Sequence, residues 1–92
     1  MSSIFHLPSQ ITHTNVEAVL AEGLLAIKAC DTNGHLTLGC KSLEFFDSSA
    51  LSAILSMKRH AQQKNISIVL EAIPEKLASL AKVYGVADVV LV

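Results

Sequence analysis

Two alternating hydrophobic periods predict an α/β fold. Three apolar stripes recur at three- and four-residue steps, and four short apolar runs stand between and around them. Clusters of turn-forming residues separate the two kinds of segment. The expected order is βαβαβαβ. Right-handed crossovers then place about three helices mainly on one face of a mixed sheet of about four strands. The 92 residues suffice for one domain, expected over 1–92.

The run 4–7 is the first strand, stopped by Pro8. Val16, Val19, Leu20, Gly23, Leu24 and Ile27 form one helical stripe ending near Cys30. Thr14 and Glu17 have the spacing of a capping box at its start. Asp31, Thr32, Asn33 and Gly34 form a turn. In 35–40, Leu36, Leu38 and Cys40 alternate with His35, Thr37 and Gly39, giving a strand with one buried face. A connection over 41–46 leads to a second helix, expected over about 48–63, with Ala50, Leu51, Ile54, Leu55, Met57 and Ala61 inward. Asn65 tolerates the left-handed conformation that closes such a helix.

The nearly continuous apolar run 66–70 suits a strand covered on both faces. Pro74 opens a third helix, in which Leu77, Leu80, Ala81 and Tyr84 form the stripe and Gly85 the stop. A last strand is expected over 89–92. Leu20, Leu24, Leu55, Ile68 and Leu80 sit centrally in their segments and are the expected core.

The chain is 51% hydrophobic and 16% charged, against about 25% charged for an ordinary domain. Such a composition excludes intrinsic disorder, and a net charge of −1 leaves no basic excess for a nucleic acid. No uncharged apolar run reaches the roughly 18 residues of a membrane span. No Lys or Arg precedes Lys28, so a secretory leader lacks its charged start, and a cytosolic chain is expected. With so little polar surface, the domain should turn apolar area toward a partner. Cys30 and Cys40 read as buried free thiols, and the four histidines have no zinc-ligand spacing.

The catalytic inventory is thin. The four glycines are dispersed and build no phosphate loop, and there is no Gly-x-Ser-x-Gly elbow. Glu44 and Asp47 are three apart, a spacing more often solvated or capping than acid/base. The expectation is a chain that is not an enzyme, needs no cofactor or metal and hydrolyses no ATP alone.

One local feature remains, the segment Phe46-Asp47-Ser48-Ser49-Ala50-Leu51 before the second helix. Asp and Ser there cap orphan N–H groups and suit the helix dipole, which alone accounts for them. A serine hydroxyl at this place would also be exposed, and phosphate on it would add about −1.5 to −2 charges.

These residues resemble the STAS domain family of anti-sigma factor antagonists, whose loop reads Asp-Ser/Thr-Ser/Thr-Gly-Leu. Here it reads Asp47-Ser48-Ser49-Ala50-Leu51. The resemblance implies a STAS-like sheet and places the family's phosphorylated residue at Ser48. It also puts Ala50 where the family has Gly, which would hinder a kinase's approach to the backbone. The ending 72–88, with Leu80-Ala81-Lys82-Val83-Tyr84, is similar to the small STAS subunit of Mla-type phospholipid ABC transporters. At 7–12 the match to the family's Leu-x-Gly-Glu-Leu-Asp is poor, as if one strand were shortened. The implied role is binding the cytoplasmic ATPase subunit through Phe45, Asp47, Ser48, Ser49, Ala50 and Ser52, held peripherally at the inner membrane by that partner. The alternative implied role is an anti-sigma factor antagonist switched by a kinase at Ser48. Both need a partner-binding surface and no catalytic residue.

Overall fold

A computed structural model describes residues 2–91. Its strands are β1 (Ser2–His6), β2 (Gln10–Ile11), β3 (His35–Gly39), β4 (Phe45–Phe46) and β5 (Ser67–Glu71). Its helices are α1 (Val16–Ala29), α2 (Ser49–Gln63), α3 (Glu75–Val83) and α4 (Ala87–Val90). The main sheet runs β1-β3-β5 with every pairing parallel, and β2 pairs with β4 in a second parallel ribbon. The fold is therefore α/β, as the two periods predict.

Alternation decides which face of the sheet is covered. Leu36, Leu38 and Ile68 point into one buried cluster with Val19 and Ile27 of α1, Ile54 and Met57 of α2, Leu77 of α3 and Val90 of α4. The row Ile4–Thr37–Val69 points the other way, and Ile4 and Val69 are 48% and 52% exposed. The apolar run 66–70 is thus not covered on both faces. Among the described residues no helix crosses the outer side, so Val69 stands in water.

Small residues let the two long helices approach. Gly23 lies against Met57, and a Cβ on Gly23 would fall 2.3 Å from Met57 Sδ. Of the five expected core residues, Ile68 is buried, while Leu20, Leu24, Leu55 and Leu80 are half-buried at the flanks of the cluster. The fully buried centre goes instead to Leu36, Leu38, Ile54, Met57 and Leu77, with Gly23, Ala53 and Ala61 also buried where the helices meet it. Lys64 Nζ closes α1 by donating to the carbonyls of Ile27, Lys28 and Cys30 at 3.2, 3.1 and 3.0 Å. Those carbonyls lie at the end of α1, where i→i+4 partners run out, and Ile27 O also accepts from Cys30 N at 3.1 Å.

Three local expectations are corrected. The terminal run is helical: Val90 N donates to Val86 O, Leu91 N donates to Ala87 O, and Lys58 Nζ caps Val89 O at 2.7 Å. Four apolar residues cannot distinguish strand from buried helix by period; Val92 lies outside the described residues. The capping box does not form. Asn15, not Thr14, starts α1, and it turns its amide back to Thr12 N and Gln10 O, both at 2.8 Å. Tyr84 is 58% exposed instead of buried in the α3 stripe, although its N–H still donates to Leu80 O at 3.0 Å at the helix end. The stops at Asn65 and Gly85 are left-handed, with φ 57° and 72°.

Ala72, between β5 and α3, also has positive φ, at 57°. A Cβ in that region costs roughly 1–2 kcal/mol. Ala72→Gly is expected to raise the melting temperature by several degrees, allowing for the extra freedom glycine gains when unfolded. Gly23→Val is expected to lower it by on the order of 10 °C, since overpacking at Met57 costs about 1–3 kcal/mol. Thermal unfolding followed by circular dichroism checks both.

Candidate functional site

The site is placed by the strand connections. After β1 and β3 the two chains separate around Pro8 and Lys41, then meet again as β2 and β4. Ser9 O accepts from Glu44 N and Phe45 N at 2.9 and 3.0 Å, and Ile11 O accepts from Asp47 N at 3.2 Å. Neither two-residue strand has enough residues to show a period, which is why 41–46 reads as a plain connection. The ribbon sits beyond the carboxyl ends of the sheet strands, where open α/β folds place their sites.

The ribbon delivers Asp47 to the start of α2. Asp47 Oδ1 accepts from Ser49 N at 2.8 Å, and Asp47 O accepts from Ala50 N at 3.1 Å. Its other oxygen, Oδ2, accepts from His13 N at 3.2 Å and stands 3.4 Å from His13 Nδ1. Hydrogen bonds from Ser49 and His13 lower the Asp47 pKa to about 2. The carboxylate thus caps the helix and ties it to the loop before α1. His13 lies 34 residues away, and no local signal in the sequence announces the pairing.

The other predicted site residues divide by exposure. Ser48 makes no side-chain capping bond, and its residue is exposed. The expectation that Ser48 caps is corrected, because Asp47 takes that task and leaves the Ser48 hydroxyl free of it. Phe45 is 66% exposed, Ser52 is exposed, and Ser49 is half-buried. Ala50 is 0% exposed, with its methyl in the core. It cannot touch a partner, and it is no obstacle on the surface where the family has glycine. It supports the site from below.

No group of three His, Cys, Asp or Glu residues among the described residues is placed to hold a metal ion. Cys30 and Cys40 are buried free thiols, and burial pushes the Cys40 thiol up to about 11. No described helix is long and apolar enough to cross a membrane.

The Asp47 geometry carries a pH dependence. Its pKa is depressed from 3.8 to about 2 on folding, so its contribution is complete above pH 3.8 and lost as pH falls through 2. Asp47→Asn is expected to melt a few degrees below the parent chain at neutral pH, and the gap to close as pH falls toward 2. Paired melts across that range check it.

The family model described as "Mlab, STAS domain" matches residues 2–92. No curated protein matches the chain. Among solved structures, the anti-sigma factor antagonist SpoIIAA in its unphosphorylated form superposes with a TM-score of 0.75 at 19% identity. The alignment covers 95% of this chain and 76% of that one, and it shows a common fold. The family-model match over nearly the whole chain leads to one conclusion: the chain belongs to the STAS domain family, in its MlaB-like group.

Proposed function

We propose that this chain is a non-catalytic STAS module that binds the cytoplasmic ATPase subunit of an Mla-type ABC transporter and supports phospholipid transport. The observation that carries the reading is the MlaB-type match over residues 2–92. The geometry supports it: a helix start held rigid by Asp47, with Ser48 and Ser52 exposed beside it and Phe45 standing out at the rim. Rigid small side chains permit close approach at low entropic cost. ATP binding and lipid movement belong to the partners, and the chain alone turns over no ATP.

A second reading has its own observation. The fold is shared with SpoIIAA, an anti-sigma factor antagonist described in an unphosphorylated form, and the Ser48 hydroxyl is not spent on capping. Under this reading a kinase-like anti-sigma factor phosphorylates Ser48. Incubation with that kinase and ATP, followed by mass spectrometry of the 45–52 peptide, separates the two. Phosphate on Ser48 favours the second reading.

Substitution at Ser48 tests the docking surface. Ser48→Ala removes one hydroxyl, and loss of a neutral hydrogen bond across an interface costs roughly 0.5–1.5 kcal/mol, up to about tenfold in affinity. Because Ser48 caps nothing, its melting temperature should stay within a degree or two of wild type. Ser48→Asp keeps a helix-compatible anion but sets a second carboxylate beside Asp47 inside the contact. A buried unpaired charge costs several kcal/mol, so binding should fall about a hundredfold or more while the fold survives. Calorimetric titration of both purified variants against the ATPase subunit checks this. If Ser48→Asp binds as tightly as wild type, the surface lies elsewhere.

A further inference from the structure

Beside Ser48 a groove of about 230 Å³ runs between α2 and the turn joining α3 to α4. It is lined by Ser48, Leu51, Ser52, Leu55, Tyr84 and Val86. Leu51 is buried, Leu55 and Val86 are half-buried, and Tyr84 is 58% exposed on the edge. The sequence offers no reason for an aromatic ring in water at this place, and the α3 stripe would have hidden it.

We infer that this groove receives one large apolar side chain from an amphipathic helix of the partner, with an Arg or Lys about one helical turn away reaching Asp47. The inference rests on the docking reading above and names the chemistry of what docks.

Four features of the surface lead to this occupant. Its volume falls below the roughly 300–1,000 Å³ of small-molecule sites, and side chains of an interface fit it better. All its lining residues lie on helices, at a helix start or in the α3–α4 turn, so no strand edge is offered for β-addition, and the face of α2 along the groove suits a helix packed against it. It is continuous with the candidate site, because Ser48 and Ser52 belong to both. Finally, the charge is one-sided. Between Lys41 and Lys58 the chain has Glu44 and Asp47 and no cation, and neither Lys58 nor Lys82 lines the groove. Asp47 stays ionised across the physiological range, and its carboxylate has lone-pair capacity beyond the bonds from Ser49 and His13. Asp47 precedes Ser48, which lines the groove, so a cation three or four residues from the anchor on one helix face comes within reach of its carboxylate; one such cation matches one carboxylate, and a second at position 48 stays unpaired.

The probe is the purified ATPase subunit of an Mla-type transporter, titrated into the full chain at low and high salt. Tyr84→Ala is expected to bind about 10–100-fold more weakly, as aromatic anchors do, with an unchanged melting temperature. Asp47→Asn is expected to weaken binding and flatten its salt dependence. A photo-cross-linking residue placed at position 84 is expected to capture a helical partner peptide carrying Arg or Lys within four residues of the captured apolar side chain. If Tyr84→Ala binds as wild type while Ser48→Asp loses binding, the groove is empty in the complex and the inference is overturned, with the docking reading intact. Capture of a partner segment without a nearby cation also overturns it. No binding by the wild-type chain overturns both.

Discussion

The attachment of one carboxylate organises the functional end of this protein. Asp47 holds the first turn of α2 through Ser49 N and the loop before α1 through His13 N. It can do so only because the β2–β4 ribbon pairs Gln10 with Phe45 and Ile11 with Phe46, which brings His13 to Asp47. The ribbon is short, but its backbone bonds continue the parallel pairing of β1 with β3. Strand order, helix start and site geometry are thus one connected network. A carboxylate that accepts several N–H bonds stays charged, and the charge favours the positive end of the helix it caps.

This division of labour explains why Ser48 is available. In a helix start capped by Ser48 itself, the hydroxyl would be occupied, and any chemistry or contact there would compete with folding. With Asp47 as the cap, Ser48 can change partner or charge at little cost to the helix. The buried Ala50 completes the arrangement by filling the space under the turn. At Ser48 function is therefore separable from stability, which depends on the sheet, on the close approach of α1 to α2 at Gly23 and Met57, and on the Asp47 cap.

Much of the fold is legible in the residues, and the losses have physical causes. The alternation Leu36, Leu38, Cys40 gives β3 and its buried face, and the stripes give all three longer helices. The turns at Asn33, Asn65 and Gly85 follow from residues that tolerate positive φ. What is missed is short or distant. β2 and β4 have two residues each, α4 has four, and neither length carries a period. The coverage of β5 depends on which helices cross the sheet, not on its own apolar residues. At the site, Asp47, Ser48 and Ser49 are legible as a helix start, and the resemblance to STAS proteins gives them meaning. His13 and Tyr84 are not, since their places depend on tertiary packing that no local period carries.

Large apolar side chains stand exposed at the end of the molecule carrying Phe45 and Tyr84, on the outer sheet face at Ile4 and Val69, and at Leu25, Val83 and Val89. Docking is assigned to the first. Amide hydrogen exchange of the free chain against its complex with the ATPase subunit tests this most directly, because it reports all of these places at once. The expected result is new protection in 45–55 and 84–86, with the β1 and β5 amides unchanged. Protection confined to β1 and β5, with the start of α2 exchanging as in the free chain, would contradict it.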